Sequence, residues 1–236
     1  MSENKFIIRR EGEADYRRTE ELTRESFWNV YRPGCTEHYV LHCYRSDPAF
    51  VPELDLVMER DGEMIGQVIY VRSEIRCDNG QSVPIMTFGP ICIAPASQRR
   101  GYGKRLLDHS MELAKEMGAG ALAVTGNILF YGKSGFVPAK TKGIRYADDP
   151  DADYFLIREL RRAFLTASAA PTAIRKAISS ASSIPKPSPN TNPPSRPSKR
   201  GSCRDSCSER KLNPARNGFN PSFTMSAVSY MLTKCK

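Results

Sequence analysis

The chain is poor in the residue types that build metal and redox centres. Among its 236 residues are three histidines (38, 42 and 109), one tryptophan, and seven cysteines with no Cys-x-x-Cys pair among them. Without ligand pairs at zinc spacing no metal site is expected, and Cys35, Cys43, Cys77, Cys92, Cys203, Cys207 and Cys235 read as free thiols of a reducing compartment. No apolar run approaches the ~18 residues of a membrane helix. The opening MSENKFIIRREGEADYRR puts charges where a secretory signal needs an apolar stretch. The expectation is a soluble cytoplasmic protein with no membrane partner.

A charge surplus is also missing from most of the chain. Residues 166–236 hold 12 of the 35 Lys and Arg and only 2 of the 26 acids, so residues 1–165 hold 23 bases and 24 acids. The overall charge of +9 therefore describes the last third and implies no specific nucleic-acid partner for the rest. Composition divides at the same point, since Ser, Pro, Ala and Asn dominate after Leu165 and no periodic apolar segment of useful length follows. One domain is expected over residues 1–165, with a disordered basic Ser/Pro-rich tail over 166–236. The tail has a second reading. With GC-rich codons and a one-base shift after Leu165, the same nucleotides can encode DGVSGTYRDPEGYFV, a peptide of globular composition, which makes the tail a frameshift product that sequencing the gene at that codon would test.

What is present before Leu165 alternates regularly. Lys5 to Arg9 reads as a strand, Glu13 to Trp28 as a helix, and Glu37 to Arg45 as a second, short helix. Leu54 to Arg60 has strand period. Asp61-Gly62 and Asp78-Asn79-Gly80 are tight turns that join it to strands Met64 to Cys77 and Ser82 to Ile93. A helix is expected from Gly103 to Met117, where Leu106, Leu107, Met111, Leu113 and Ala114 recur at helical spacing. Strands at Ala121 to Thr125, from Phe136, and at Tyr154 to Glu159 follow, with a helical turn over Asn127 to Lys133. A meander followed by β-α-β implies an α+β (mixed α/β) fold with a central, mostly antiparallel sheet flanked by helices.

The segment that carries chemistry is GPICIAPASQRRGYGKRLL, Gly89 to Leu107. A strand ends at Pro95, a glycine-bearing loop follows, and a helix starts at once, so unpaired backbone N–H groups face outward at the positive end of the helix dipole. Gly101 and Gly103 lack a Cβ and let a pyrophosphate come close, while Arg99, Arg100 and Lys104 add positive charge. Alone, a Gly-x-Gly turn is weak support for a ligand. A second element comes about two dozen residues on: Asn127, then Phe130-Tyr131-Gly132-Lys133-Ser134-Gly135-Phe136.

Together these two elements resemble the GNAT acetyltransferase family, whose acetyl-CoA motif is Gln/Arg-x-x-Gly-x-Gly/Ala between a strand and a long helix. Gln98, Gly101 and Gly103 match that motif, and the Asn127 to Phe136 stretch matches the family's Asn followed by FYxKxGF. The resemblance implies acetyl-CoA as cosubstrate, direct transfer of acetyl to an amine, and no metal. It implies that the backbone of Ile91, Cys92 and Ile93 holds the pantetheine arm, and that the amides of Gln98, Arg99, Arg100, Gly101, Tyr102, Gly103 and Lys104 take the pyrophosphate. Asn127 would bond the pantetheine region and Tyr131 would protonate the departing thiolate. The general base stays open among Glu53, Asp55, Glu59, Glu37, His38 and a water chain. A catalytically inactive acyl-CoA-binding sensor is the alternative function, and a homodimer is left open.

Overall fold

A computed structural model describes residues 6–31, 33–167 and 175–178. Four strands form an antiparallel meander: β1 (Phe6–Arg10), β2 (Leu56–Arg60), β3 (Glu63–Cys77) and β4 (Ser82–Ile93). Between β1 and β2 lie two helices, α1 (Tyr16–Phe27) and α2 (Glu37–Tyr44). The long helix α3 (Tyr102–Glu116) carries the chain to β5 (Ala121–Thr125), which lies parallel to β4. Then follow α4 (Ile128–Tyr131), β6 (Val137–Pro138), β7 (Ile144–Tyr146), β8 (Phe155–Glu159), α5 (Phe164–Ala167) and β9 (Arg175–Ile178). The sheet order is β1-β2-β3-β4-β5-β8-β6, with β9 paired to both β3 and β7. Among the described residues no helix is long and apolar enough to cross a membrane.

Alternation along the strands divides the core into two layers. From β3, Val68 and Tyr70 point to one face and pack in the cluster that holds Tyr102, Leu106, Leu107 and Met111 of α3. The intervening Ile69 and Val71 point to the other face and meet Val40, Leu41 and Tyr44 of α2. Cys92 likewise lies with Leu22 of α1, whereas its neighbour Ile93 lies with α3. Period 2 in a strand covered on both faces thus places α1 and α2 on one side of the sheet and α3 on the other.

The expected strand at Leu54 to Arg60 begins instead at Leu56, because Pro52 starts a 3-10 turn over Pro52–Leu54. The strand expected from Phe136 shrinks to two residues, since Pro138 has no N–H to continue a ladder. Strands β7 and β9 were not anticipated. β9 lies beyond Leu165, within the stretch expected to lack regular structure, and pairs antiparallel with Glu74 to Cys77 of β3. The remainder of the expected tail, residues 168–174 and 179–236, lies outside the described residues.

Candidate active site

Strands β4 and β5 pair at two positions only, Met86 with Leu122 and Thr87 with Ala123, and then part. Past that point a cavity of about 830 Å³ opens between the two strands. Its walls are Phe88 to Ile93 on the β4 side, Val124 to Asn127 on the β5 side, the α3 N-terminus, α4, and residues from the ends of α1 and α2. The split runs through the sheet, so the cavity is reached from both layers.

The three β4 residues expected to face a ligand differ in orientation. Ala94 N donates to Ile65 O at 2.8 Å, which fixes the phase of the antiparallel ladder with β3. Backbone groups alternate sides along a strand, so those of Cys92 are turned to β3 and those of Ile91 and Ile93 to the split. The Ile93 carbonyl accepts from Ser26 Oγ at 3.2 Å and from Gln98 Nε2 at 2.9 Å. Gln98 therefore ties its loop to the end of β4 with its side chain, and its own amide donates to Pro95 O. The Cys92 thiol is buried 3.6 Å from Thr23 Oγ1, and burial pushes its pKa up to about 11, so it is an inert core group.

At the start of α3, Arg99 (φ +61°) and Gly101 (φ +84°) both take left-handed backbone, which curls the loop around a concavity. No amide from Arg99 to Lys104 donates to an acceptor among the described residues; the first bond of the helix is Arg105 N to Gly101 O at 3.1 Å. These amides gather at the positive end of a 15-residue helix, an arrangement that favours an anion. Gly101 is required by its φ. A Cβ on Gly103 would meet Phe130 at 3.5 Å, an ordinary contact, so backbone exposure and not a clash is what glycine provides there. Gln98, Arg99, Gly101, Gly103 and Lys104 line the cavity. Arg100 is exposed beside it, and Tyr102 is buried, edge-on to Phe6 at 6.1 Å between ring centroids. Lys104 is ion-paired to Asp108, which also accepts from Ser134 Oγ at 2.7 Å.

Across the split, Asn127 caps α4, its Oδ1 accepting from Leu129 N at 2.8 Å. Tyr131 then stands in an aromatic cage, with centroid distances of 5.8, 4.9 and 5.7 Å to Phe88, Phe130 and Phe136. The ring lies over Gly126, where a Cβ would fall 2.3 Å from it; this glycine was not anticipated, and a tight side-chain fit leaves no mark in sequence. Burial raises the Tyr131 pKa, with Tyr31 and Tyr70 adding to the effect. Its hydroxyl makes no hydrogen bond among the described residues, so it is a protonated donor facing the cavity.

Of the acids considered as base, Glu37 alone lines the cavity. It sits at the first turn of α2, with Oε2 accepting from Thr36 N at 2.9 Å and Cys35 Sγ at 3.3 Å. Glu53 is exposed on its 3-10 turn, and Glu59 is ion-paired with Arg9 on the β1 side. His38 is absent from the lining; its Nδ1 is buried without a partner, and burial, then Arg24, lowers its pKa. Asp55 belongs to a closed ionic cluster beneath α1 and α2. There Arg45 Nη2 bonds both oxygens of Glu11 at 2.9 and 3.1 Å, Nη1 bonds Glu20 at 2.7 Å, and the guanidinium stacks on Tyr16 at 3.9 Å. Burial, then the neighbouring Glu11, pushes Asp55 up to about 9, and it keeps its proton at neutral pH.

The site is thus a split in a mixed sheet, with a helix N-terminus on one wall and a caged tyrosine opposite. The family model for the acetyltransferase (GNAT) domain matches residues 53–138, which run from β2 to β6 and include the whole split. The uncharacterized N-acetyltransferase YjhQ of Escherichia coli (strain K12) is 27% identical over 93 residues, which is 39% of this chain and 50% of that protein. The chain therefore spans about half the length of the curated relative it matches. A GNAT family N-acetyltransferase (YhbS) from Escherichia coli, solved in complex with CoA, aligns at 20% identity over 75% of this chain and 91% of its own, with a TM-score of 0.62. A GNAT family acetyltransferase from Brucella melitensis, solved with acetyl-CoA, aligns at 22% identity over 67% and 90%, with a TM-score of 0.54. The chain is thus similar to the GNAT acetyltransferase domain over residues 53–138 and shares the fold of solved GNAT proteins.

Proposed function

We propose that this protein transfers the acetyl group of acetyl-CoA to a primary amine in a ternary complex. The observation that carries the reading is the row of free amides from Arg99 to Lys104 at the mouth of the β4–β5 split, with a protonated tyrosine hydroxyl across it. Ligands named for the two structural relatives support acetyl-CoA as the cosubstrate.

In this reading the amides of Arg99 to Lys104 hold the diphosphate, with Arg99, Arg100 and Lys104 supplying countercharge. The edge of β4 at Ile91 and Ile93 binds the amide groups of the pantetheine arm as an added strand would, and Asn127 borders the arm from the other wall. Backbone N–H groups of the split stabilise the negative charge that develops on the carbonyl oxygen, an effect worth about 10²- to 10³-fold per donor. The neutral amine nitrogen forms the new C–N bond as the C–S bond breaks, the Tyr131 hydroxyl donates its proton to the departing sulfur, and the proton shed by the newly acylated nitrogen restores the Tyr131 hydroxyl. The ammonium's proton leaves toward the α1–α2 side. Cys92, buried and turned into the core, takes no part.

The test is release of free CoA thiol against a panel of primary amines, with acetyl-CoA affinity measured separately. Amine-dependent thiol is expected. Absence of acetyl-CoA binding, or binding with no thiol released for any amine, overturns the reading.

A further inference from the structure

The charges lining the cavity are unevenly placed, and the unevenness bears on the acceptor. Arg99, Lys104 and Lys133 lie at the α3 and α4 end. At the α1–α2 end the walls are Ser26, whose hydroxyl is bonded to the Ile93 carbonyl, with Phe27, Val30, Tyr31 and Val40, and the only acid among the described lining residues is Glu37. The Phe27 and Tyr31 rings stand 6.0 Å apart at 36°, which makes a continuous aromatic wall beside that carboxylate. From the geometry we infer that the acceptor is a monocationic amine on an apolar, arylalkyl-type body, with Glu37 as the anchor for its ammonium. This deepens the proposed function and rests on it.

Three observations support the choice. Glu37 Oε2 is held by Thr36 N and Cys35 Sγ, so the carboxylate is fixed in place and its second oxygen is left for a ligand. The negative charge of Glu37 contributes to raising the Tyr31 pKa, and Tyr31 contributes to raising that of Tyr131, so the three groups lie within electrostatic reach of one another across the split. An ammonium at Glu37 would thus sit on the path to the hydroxyl that faces the thioester. Finally, a polyamine, an aminosugar or a basic peptide carries further cations that would need further carboxylates; this end of the cavity offers aromatic and aliphatic carbon, where an unpaired charge is costly. One charge and a hydrophobic body match what is there.

The test is calorimetric titration of the full chain, saturated with CoA, with 2-phenylethylamine, spermidine and 2-phenylethanol, run beside thiol-release kinetics. The wild type is expected to bind 2-phenylethylamine better than either other compound, and to prefer it to spermidine in kcat/KM. Glu37→Gln keeps the Thr36 N acceptor and is expected to lose about ten- to hundredfold in affinity for 2-phenylethylamine, the worth of a charge-assisted hydrogen bond, with affinity for CoA unchanged. A second variant adds function: Val30 is 56% exposed, so Val30→Glu places a second carboxylate at the mouth without disturbing the core, and spermidine binding should improve. Wild-type preference for spermidine, or Glu37→Gln with unchanged amine affinity, overturns the inference even where acetyl transfer is observed. Selective amine binding without thiol release would overturn the enzymatic reading and leave the anchor in place.

Discussion

Two regions of this domain hold buried polar groups and treat them in opposite ways. Beneath α1 and α2, Arg45, Glu11, Asp55, Thr19 and Glu20 form a cluster in which the Arg45 guanidinium bonds Glu11, Glu20 and Thr19, while Arg45 Nε and Asp55 Oδ1 stay without a hydrogen bond among the described residues; the Arg45 side chain is 6% exposed and that of Glu11 is 0%. In the β4–β5 split, donors are left without acceptors among the described residues: the amides from Arg99 to Lys104 at the start of α3, the turned-out backbone of Ile91, and the Tyr131 hydroxyl. The first arrangement contributes to holding α1 and α2 on the sheet. The second leaves hydrogen-bonding capacity unspent within the protein, and a region of that kind is where a ligand with matching acceptors gains most.

Perturbing each region should produce a different kind of defect. The largest effect is expected from Tyr131→Phe, which removes the donor and keeps the ring in its cage. Turnover should fall about 10²- to 10⁴-fold, with acetyl-CoA affinity and denaturation midpoint close to wild type; a fall of less than about fivefold would remove Tyr131 from the role given to it. Glu11→Ala acts in the other region, leaving the Arg45 guanidinium buried without its bidentate partner. Chemical denaturation should show a loss of about 3–5 kcal/mol, and a loss below about 1 kcal/mol would mean the cluster is dispensable.

Gly101→Val is expected to be smaller, because a β-branched residue in left-handed backbone costs about 1–2 kcal/mol. Its signature should be roughly tenfold weaker acetyl-CoA binding, since the strain is relieved by opening the curl that gathers the amides. Binding at wild-type strength would show that the curl does not form the cradle. A further effect concerns pH. Asp55 is raised from 3.8 to about 9, so below pH 3.8 folded and unfolded chains are both protonated there; as pH rises from 3.8 toward 9 the unfolded chain loses a proton that the native state keeps, and stability declines. Asp55→Asn removes that decline. The melting temperature of the variant relative to wild type should therefore increase steadily from pH 4 to pH 8, and a flat difference would place the proton elsewhere.

The order of elements and the site motif were legible for local reasons. Asp61-Gly62 and Asp78-Asn79-Gly80 announce hairpins because tight turns need left-handed backbone, and both β4 and β5 begin and end where their turn residues and Pro95 require. Gln98 to Lys104 was readable because glycines, a strand end and a helix start are adjacent in the chain. Strands β7 and β9 were not legible, since three or four residues carry no period and their pairing is decided by distant neighbours. The choice among Glu53, Asp55, Glu59 and Glu37 was beyond the sequence for the same reason: whether an acid meets Arg9, Arg45 or a cavity depends on which elements pack over it.

The sequence by itself therefore determined most of the elements, the glycine-bearing turn before α3 and the resemblance to GNAT domains, because each is written in residues close together along the chain. Tertiary structure alone decided that β4 and β5 separate after two paired positions, that Gly126 lies beneath the Tyr131 ring, and that Glu37 lines the cavity whereas Glu53, Asp55 and Glu59 do not. These depend on the spacing of atoms from segments far apart in the chain, set by packing on both faces of the sheet, and no local pattern of residues encodes that spacing.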